Sequence, residues 1–357
     1  MSDGLHNRSI AVRSKRRPER PPAFAALDVG THNCRMLIAV AKRPEGFRII
    51  DAFSRSVRLG EGLEATGRLG DAAMRRTLAA LDVCAQRMRL AGVTQARAVA
   101  TAACRRAANG VEFLDRVAAE TGIVLEPIMP GEEAELTVAG CVGLLDPSYP
   151  YVLLFDIGGG STEVVWVKQN PPLAPQVLSL ASVPFGVVTF AERFGTEGIR
   201  SLDYAAMVMQ VDARIATLAA QHDIAAAVER GEVQMVGTSG TVTTLAAVHL
   251  GLKRYDRARV DGLVLSFGAL ASVSRRLSSS NPATLADISC IGKERADLVI
   301  AGCAILDAIC RRFPVGRLTV ADRGIREGLL TAMIASDPRI TGALPEHRSH
   351  GSREARR

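Results

Sequence analysis

The chain has 357 residues, of which 48% are hydrophobic and 23% are charged, and its formal net charge is +7. This length exceeds one typical hydrophobic core and allows two domains, and the composition is that of a soluble globular protein. No apolar run is long enough to cross a bilayer, and the basic N-terminal stretch lacks the apolar segment of a secretory signal. We therefore expect a cytoplasmic protein with no membrane partner.

Much of the positive charge lies at the two ends of the chain. Residues 1–22 and 341–357 are rich in arginine, and we expect both to be disordered tails. The alternative is that these tails attract a polyanion electrostatically.

The chain contains seven cysteines and six histidines. The cysteines show neither a C-x-x-C pair nor a spacing typical of zinc sites, so we expect reduced thiols. The histidines are scattered, and none lies beside a serine or cysteine in a nucleophile elbow. These patterns disfavour a zinc site and a covalent catalytic triad.

In chain order, apolar runs bounded by turn residues predict strands at 24–28, 35–41 and 47–53, with a turn at 43–46. Apolar residues three and four positions apart, such as Met74, Leu78 and Leu81, predict a helix over 71–90. A strand at 96–100 and two short helices within 101–122 follow. These elements belong to a first domain, which we place at 23–147.

Strands at 152–155 and 164–167 begin a second domain, which we place at 148–324. Helices are predicted at 202–221 and 296–313, with a strand and glycine turn within 233–248 between them. A last helix is predicted at 325–334, and the sequence leaves open whether residues 325–340 pack back on the first domain. The alternation of strand groups and helices indicates the α/β class.

Two segments repeat one pattern, ALDVGTHNCRMLIA at 26–39 and LFDIGGGSTEVVWV at 154–167. Each has an apolar strand, an aspartate (Asp28 or Asp156), a glycine-containing turn and a second strand. Glycine permits positive φ and close approach of a ligand, so such hairpins present backbone N–H groups. We predict two related domains facing one cleft, which binds a phosphorylated ligand together with a divalent cation.

The second hairpin carries the most specific pattern. We predict a phosphate cradle of backbone N–H and hydroxyl donors from Gly158, Gly159, Gly160, Ser161 and Thr162. Asp156 and Glu163 are predicted to supply hard oxygen ligands for Mg²⁺ or Mn²⁺. The alternative is a structural glycine-rich hairpin with Glu163 exposed to solvent.

A further strand, turn and helix start predicts another phosphate or nucleotide contact. Its residues are Gly237, Thr238, Gly240 and Thr241. The alternative for this segment is a capped helix start without a ligand.

These segments together resemble the exopolyphosphatase/guanosine pentaphosphate phosphohydrolase (Ppx/GppA) family, and the resemblance covers residues 24–334. It rests on the two hairpin segments and on the following stretches in order: ATAACRRAANGVEFL, MPGEEAELTVAG, VGTSGTVTTLAAV, ERADLVIAGCAIL and ADRGIREGLL. The resemblance implies an α/β fold of two actin-like (ribonuclease H-like) domains flanking a cleft. Long family members add a C-terminal helical extension, which we do not expect in this short form.

The resemblance also implies roles for single residues. Glu133 corresponds to the base that activates water, Arg105 to an arginine that clamps the terminal phosphate, and Gly30 and Thr31 to a substrate-binding turn. The loop at 131–134 is one residue shorter than is usual in the family, so Glu132 remains an alternative base. Both glutamates could also be first-turn helix acids, and Arg105 could be a surface arginine.

Other positions are departures from the family or have simpler explanations. His32 places a larger, titratable side chain in the first hairpin, whereas Thr189 and Ala102 replace an arginine and a serine that are common in the family. Asn109 is predicted to cap a helix. No role is assigned to Asp322 or Arg326.

The predicted function is that of an exopolyphosphatase, which releases terminal orthophosphate from inorganic polyphosphate by metal-assisted attack of water on a phosphoanhydride. Hydrolysis of guanosine pentaphosphate (pppGpp) to the tetraphosphate is an alternative. An ATP-binding kinase is disfavoured by the base, and a non-catalytic polyphosphate or alarmone sensor is left open. No specific nucleic acid is expected as a partner, and a homodimer is left open.

Overall fold

The computed structural model describes residues 21–42, 46–195 and 201–341. Its strands are β1 (Ala23–Val29), β2 (Asn33–Ala41), β3 (Phe47–Ser56), β4 (Val93–Ala100), β5 (Leu125–Pro127), β6 (Tyr151–Ile157), β7 (Thr162–Lys168), β8 (Gln176–Val183), β9 (Val233–Thr238), β10 (Val264–Ser266) and β11 (Arg317–Ala321). The predicted tails, apart from residues 21, 22 and 341, and most of the predicted turn at 43–46 lie outside the described residues.

The helices are α1 (Leu63–Thr66), α2 (Asp71–Ala91), α3 (Ala102–Arg106), α4 (Gly110–Thr121), α5 (Pro130–Cys141), α6 (Val187–Phe194), α7 (Ser201–Ala219), α8 (Ile224–Glu229), α9 (Gly240–His249), α10 (Arg257–Val260), α11 (Phe267–Ser278), α12 (Pro282–Asp287), α13 (Val299–Arg312), α14 (Ile325–Ser336) and α15 (Pro338–Thr341), with a 3₁₀ turn at Val142–Leu144. Among the described residues, no helix is both long and apolar enough to span a membrane.

The strands form two mixed sheets with related topology. The first has the order β3-β2-β1-β4-β5 and the second the order β10-β11-β9-β6-β7-β8. In each sheet an antiparallel hairpin, β1–β2 or β6–β7, pairs in parallel with a later strand, β4 or β9. We call the first sheet with α1–α4 the first lobe, and the second sheet with α6–α13 the second lobe.

One helix near the end of each half of the chain, α5 or α14, is exchanged between the lobes. Helix α14 packs Ile325, Leu329 and Met333 against Phe24 and Leu37 of the first sheet. Helix α5 instead packs Ala134, Val138 and Cys141 against β6 and β7 of the second sheet. Apolar faces of both sheets are thus covered by a helix from the other half of the chain.

The two exchanged helices cross at very short distance, because glycines occupy the crossing. A Cβ atom on Gly140 would lie 2.0 Å from the carbonyl oxygen of Gly324, and a Cβ atom on Gly328 would lie 2.0 Å from that of Leu136. Only a residue without a side chain fits at these positions. This crossing fixes α5 relative to the loop that precedes α14.

Candidate active site between the lobes

The two repeated hairpins have the same geometry at the same edge of the cleft. In the first the Gly30 N–H donates to the Asn33 carbonyl, and in the second the Gly158 N–H donates to the Ser161 carbonyl, both at 2.9 Å. Asp28 pairs with Arg35 across the first hairpin, and Asp156 pairs with Glu163 at the equivalent position of the second. The duplicated turns therefore differ in charge, with an arginine in one where the other has a glutamate.

The tips of the two hairpins contact each other, which explains two of the glycines. A Cβ atom on Gly160 would lie 2.5 Å from Thr31 Oγ1, and one on Gly159 would lie 3.0 Å from Thr31 Cβ. In the described part of the chain, the N–H groups of Thr31, His32, Gly159 and Gly160 have no protein acceptor. All four residues line the cleft, so these donors are available to an anionic ligand.

Glu133 lies in the first turn of α5 and lines the cleft, although only 6% of the residue is exposed. Its Oε2 accepts a hydrogen bond of 3.0 Å from Arg105 Nη1, which also donates to the Ile128 carbonyl at 2.6 Å. Burial and then the nearby Glu163 raise the pKa of Glu133 to about 8, against the opposing effect of Arg105. A carboxylate with a pKa near neutrality is suited to accept a proton from water.

The neighbouring Glu132 lies outside the cleft. Its Oε1 pairs with Arg97 Nη2 at 2.5 Å, and 41% of its side chain is exposed. Because successive residues of a helix point about 100° apart, only one of the two glutamates can face the cleft. The geometry therefore favours Glu133 over Glu132 as the base.

Asp156 and Glu163 lie opposite each other on β6 and β7, so their side chains share one face of the sheet. Burial raises the pKa of Asp156 to about 6. Burial and then Asp156 raise the pKa of Glu163 to about 7, although Ser182 Oγ donates to Glu163 Oε1 at 3.1 Å. A bound cation would stabilise the ionised forms of two carboxylates that lie this close together.

These two carboxylates fit a divalent cation of the Mg²⁺ type. Within the described ranges, no three histidine, cysteine, aspartate or glutamate side chains converge as a cage made of protein alone. Mg²⁺ usually takes only one or two carboxylates and completes its coordination with water and substrate phosphates. Asp156 at the cleft surface, with Glu163 beneath it and N–H groups nearby that have no protein acceptor among the described residues, suits that mode of binding.

Three of the predicted positions, Arg105, Gly237 and Thr162, do not line the cleft. Arg105 does not line the cleft, because its guanidinium lies behind Glu133 and holds that carboxylate. Gly237 is a buried residue of β9, where a Cβ atom would lie 2.5 Å from the Phe155 ring, so its role is to make room for that ring. The Thr162 hydroxyl donates to the Phe185 carbonyl at 2.8 Å and is not presented to a ligand.

Apart from Glu163, the remaining predicted positions line the cleft. They are Gly30, Thr31, Gly158, Gly159, Gly160, Ser161, Thr238, Gly240 and Thr241, together with Glu133 and Asp156. Glu163 lies beneath this surface, with 2% of the residue exposed. Asn109 is not a helix cap through its side chain, which instead bonds both the N–H and the carbonyl of Leu69.

His32 does not titrate near neutral pH. Its Nε2 lies 3.1 Å from Ser56 Oγ, and only 7% of the residue is exposed. Burial, followed by the positive charges of Arg58 and Arg295, lowers the pKa of His32 to about 4. The ring is therefore neutral at pH 7 and serves as part of the turn.

Three half-buried arginines in the cleft were not singled out by the sequence analysis as ligand contacts: Arg35, Arg295 and Arg326. Among the described residues, none of their guanidinium groups has a hydrogen-bond or ion-pair partner. Burial lowers the pKa values of Arg295 and Arg326. Partly buried guanidinium groups without protein partners are suited to bind phosphate oxygens.

Of the three, only Arg35 could have been identified from the repeated sequence pattern, since it lies in the first hairpin at the position that Glu163 has in the second. The cleft has a volume of about 750 Å³. Its lining also includes the exposed ring of Tyr255 and the nearly fully buried Leu245 and Ile291.

Comparisons with known proteins identify the family and the fold. A sequence profile of the Ppx/GppA phosphatase family matches residues 38–337. Exopolyphosphatase 2 of Mycobacterium tuberculosis is 29% identical over 325 residues, which cover 87% of this chain and 98% of that relative. The crystal structure of the Aquifex aeolicus member of the Ppx/GppA family has a TM-score of 0.73 at 28% identity, covering 88% of this chain and 98% of that one.

An exopolyphosphatase structure from Cytophaga hutchinsonii has a TM-score of 0.77 at 24% identity, covering 90% and 99% of the two chains, and this likeness shows the fold. The predicted family resemblance and the predicted fold of two actin-like domains are confirmed.

Proposed function

Because the chain belongs to the Ppx/GppA phosphatase family, we propose that it releases terminal orthophosphate from inorganic polyphosphate by attack of water on a phosphoanhydride. One observation carries the proposal: a single cleft holds both the buried carboxylate of Glu133 and guanidinium groups that have no partner among the described residues. The first suits activation of water and the second suits binding of a highly charged anion. The exopolyphosphatase name of the M. tuberculosis relative supports the choice of polymer.

The anionic end of the substrate would be held by two kinds of donor. The unpaired N–H groups of the two hairpin tips bind phosphate oxygens from the backbone, and Arg35 and Arg295 bind them from the side chains. Such binding is catalytic to the extent that it stabilises charge on the transferring phosphoryl group.

Glu133 in its ionised form accepts a proton from the attacking water. The water oxygen forms a bond to the terminal phosphorus, the phosphoanhydride bond breaks, and the shortened chain leaves with its bridging oxygen. Arg105 keeps the Glu133 carboxylate oriented through the 3.0 Å hydrogen bond and does not contact substrate. In this account Arg105 is a positioning residue.

Asp156 and Glu163 would hold Mg²⁺ or Mn²⁺, which would neutralise part of the phosphate charge. The pKa values of both carboxyl groups are raised in the absence of a cation, and a bound cation would stabilise their ionised forms. Ionisation of Glu133 is also favoured once the charge of its neighbour Glu163 is compensated.

The alternative substrate is pppGpp, and the size of the cleft favours it. Its lining includes the ring of Tyr255, which is 40% exposed, and an aromatic ring suits a nucleoside, whereas a linear polyphosphate does not need one. The alternative that the protein is a sensor without activity predicts binding of these anions without hydrolysis.

The experiment is orthophosphate release, measured with Mg²⁺ on polyphosphate of defined length, pppGpp and ATP at equal concentrations. The proposal expects the highest kcat/KM on polyphosphate, with orthophosphate and slowly shortening chains on gels. Early fragments of intermediate size would contradict terminal attack. A preference for pppGpp would select the alternative, and tight binding without any release would select the sensor.

A further inference from the structure

The segment that follows β3 has an unusual backbone. Arg58 has φ of 48°, in the left-handed region that non-glycine residues rarely adopt. The N–H groups of Val57 and Arg58 both donate to the His32 carbonyl at 2.9 Å, and the Gly60 N–H donates to the Thr31 carbonyl at 2.9 Å. We call residues 57–62 the clasp loop. It is anchored directly on the first phosphate-binding hairpin.

Helix α2 supports the clasp loop from the other side. Arg76 Nε donates to the Val57 carbonyl at 3.0 Å, and Arg76 Nη2 pairs with Glu61 Oε2 at 2.6 Å. The loop is thus fixed to the first lobe by hydrogen bonds to its backbone and to a side chain. A strained residue held so firmly suggests a function for its side chain.

The side chain of Arg58 crosses to the second lobe. Its guanidinium binds Asp297 in bidentate fashion, at 2.8 Å and 3.0 Å, and also donates to the Glu294 carbonyl at 3.0 Å. A second contact runs in the same direction, from the Gly62 N–H to Glu192 Oε1 at 2.7 Å. The chain itself passes between the lobes close to the α5–α14 crossing. The contacts of Arg58 and Gly62 are separate from that crossing.

The residues that Arg58 binds also carry a cleft arginine. Glu294 and Asp297 flank Arg295, whose guanidinium lines the cleft and has no partner among the described residues. Arg58 therefore connects the turn that offers backbone N–H donors to the segment that offers a guanidinium donor. A change in its contact would separate two groups that bind the same anion.

We propose that Arg58 is a positioning residue, whose ion pair with Asp297 holds the two lobes closed around the anionic substrate and sets Arg295 against the first hairpin. This inference rests on the proposed function for the nature of the substrate. The side chains of Arg58 and Asp297 are 33% and 23% exposed, and half-exposed ion pairs stabilise only modestly. A clasp of that strength can open to admit a polymer and close again.

The alternative is that Arg58 acts only through its positive charge, and this alternative predicts the opposite effect for the Asp297→Asn variant. If Arg58 served only as a positive charge near the substrate, Asp297→Asn would strengthen binding, because it leaves Arg58 unneutralised. If Arg58 closes the lobes, Arg58→Gln and Asp297→Asn act in the same direction, since each breaks the same pair. The charge-reversed double variant Arg58→Asp with Asp297→Arg restores a pair and separates contact from charge.

The kinetic experiment measures kcat and KM on polyphosphate for these variants. Both single variants are expected to raise KM about tenfold, within the usual range for conformational coupling, with kcat changed less than about twofold. The double variant is expected to recover most of the loss. A lower or unchanged KM for Asp297→Asn would overturn the proposal. Arg311→Gln, which removes an equal charge from an exposed pair on α13, is the control.

A second measurement does not depend on activity. Small-angle scattering of the substrate-free protein is expected to show a larger radius of gyration for Arg58→Gln than for wild type or Arg311→Gln. Hydrogen exchange is expected to be faster in residues 57–62 and unchanged within α2, which also shows that the variant is folded. Unchanged scattering and exchange would overturn the clasp. Altered scattering in a protein that hydrolyses no polyphosphate would instead refute the proposed function and retain the clasp.

Discussion

Replacement of Arg105 tests whether this arginine positions the base or binds the substrate. The structure places its guanidinium 3.0 Å from Glu133 and away from the cleft surface. Without a bound cation, burial and Glu163 raise the pKa of Glu133 to about 8, so roughly a tenth of the metal-free enzyme has an ionised base at pH 7. A cation that compensates Glu163 would lower this pKa, so we expect the wild-type kcat/KM measured with Mg²⁺ to rise with pH through a value at or below about 8 and to level off above it.

The Arg105→Gln variant should move this profile to higher pH. An opposite charge at hydrogen-bond distance lowers a carboxyl pKa by roughly one to three pH units, so its removal raises the pKa of Glu133 further. A rise of about one unit reduces the ionised fraction at pH 7 by up to about tenfold, and kcat/KM should fall by the same factor. At a pH near 10 the variant should approach wild type.

The assay is the pH dependence of kcat/KM for orthophosphate release, from about pH 6 to about pH 10, since kcat/KM reports the free enzyme. Arg97→Gln is the matched control, because Arg97 pairs with Glu126 and Glu132 outside the cleft. An equal loss at every pH in Arg105→Gln would refute the reasoning. That result would mean that Arg105 contacts the phosphate, as the family resemblance implied.

Three further predictions follow from the same geometry. Glu133→Gln should lower kcat about a hundredfold or more while Glu132→Gln stays near wild type, and equal losses in phosphate release would contradict the assignment of the base. Asp156→Asn should raise the Mg²⁺ concentration needed for half-maximal rate, and full activity of wild type in EDTA would exclude the cation. Gly140→Ala should destabilise the fold by about 1–3 kcal/mol in chemical unfolding because its Cβ atom meets a carbonyl, whereas Gly131→Ala, which meets nothing within 4 Å, should not.

The hairpins could be predicted from sequence because their signals are local. Each motif contains its own strands, aspartate and glycine turn, and the structure reproduces them in β1–β2 and β6–β7. The reason why glycine is required at two of these positions could not be read from the neighbouring sequence. Gly159 and Gly160 allow contact with Thr31 of the other hairpin, which lies far away in the sequence.

The choice between Glu132 and Glu133 depended on tertiary packing. Ala134, Val138 and Cys141 turn α5 onto the second sheet, and that rotation places Glu133 in the cleft. Arg295 follows the turn at Gly292 and Arg326 follows Gly324, but neither lies in one of the two repeated hairpins, so the local pattern did not mark them as ligand contacts. Arg105 was found, but its partner Glu133 lies 28 positions further on, so its role as a positioning group needed the structure.

The exchange of α5 and α14 constrains the order in which the two lobes can fold during translation. The first sheet is translated early, yet the helix that covers Phe24 and Leu37 ends only at Ser336. Until that helix has left the ribosome, the apolar face of the first sheet lacks most of its cover, and such a face is prone to aggregation. The early half of the chain must therefore remain partly folded or chaperone-bound until α14 is available. Expression of either half alone should give insoluble protein, whereas co-expression of both halves can restore the fold.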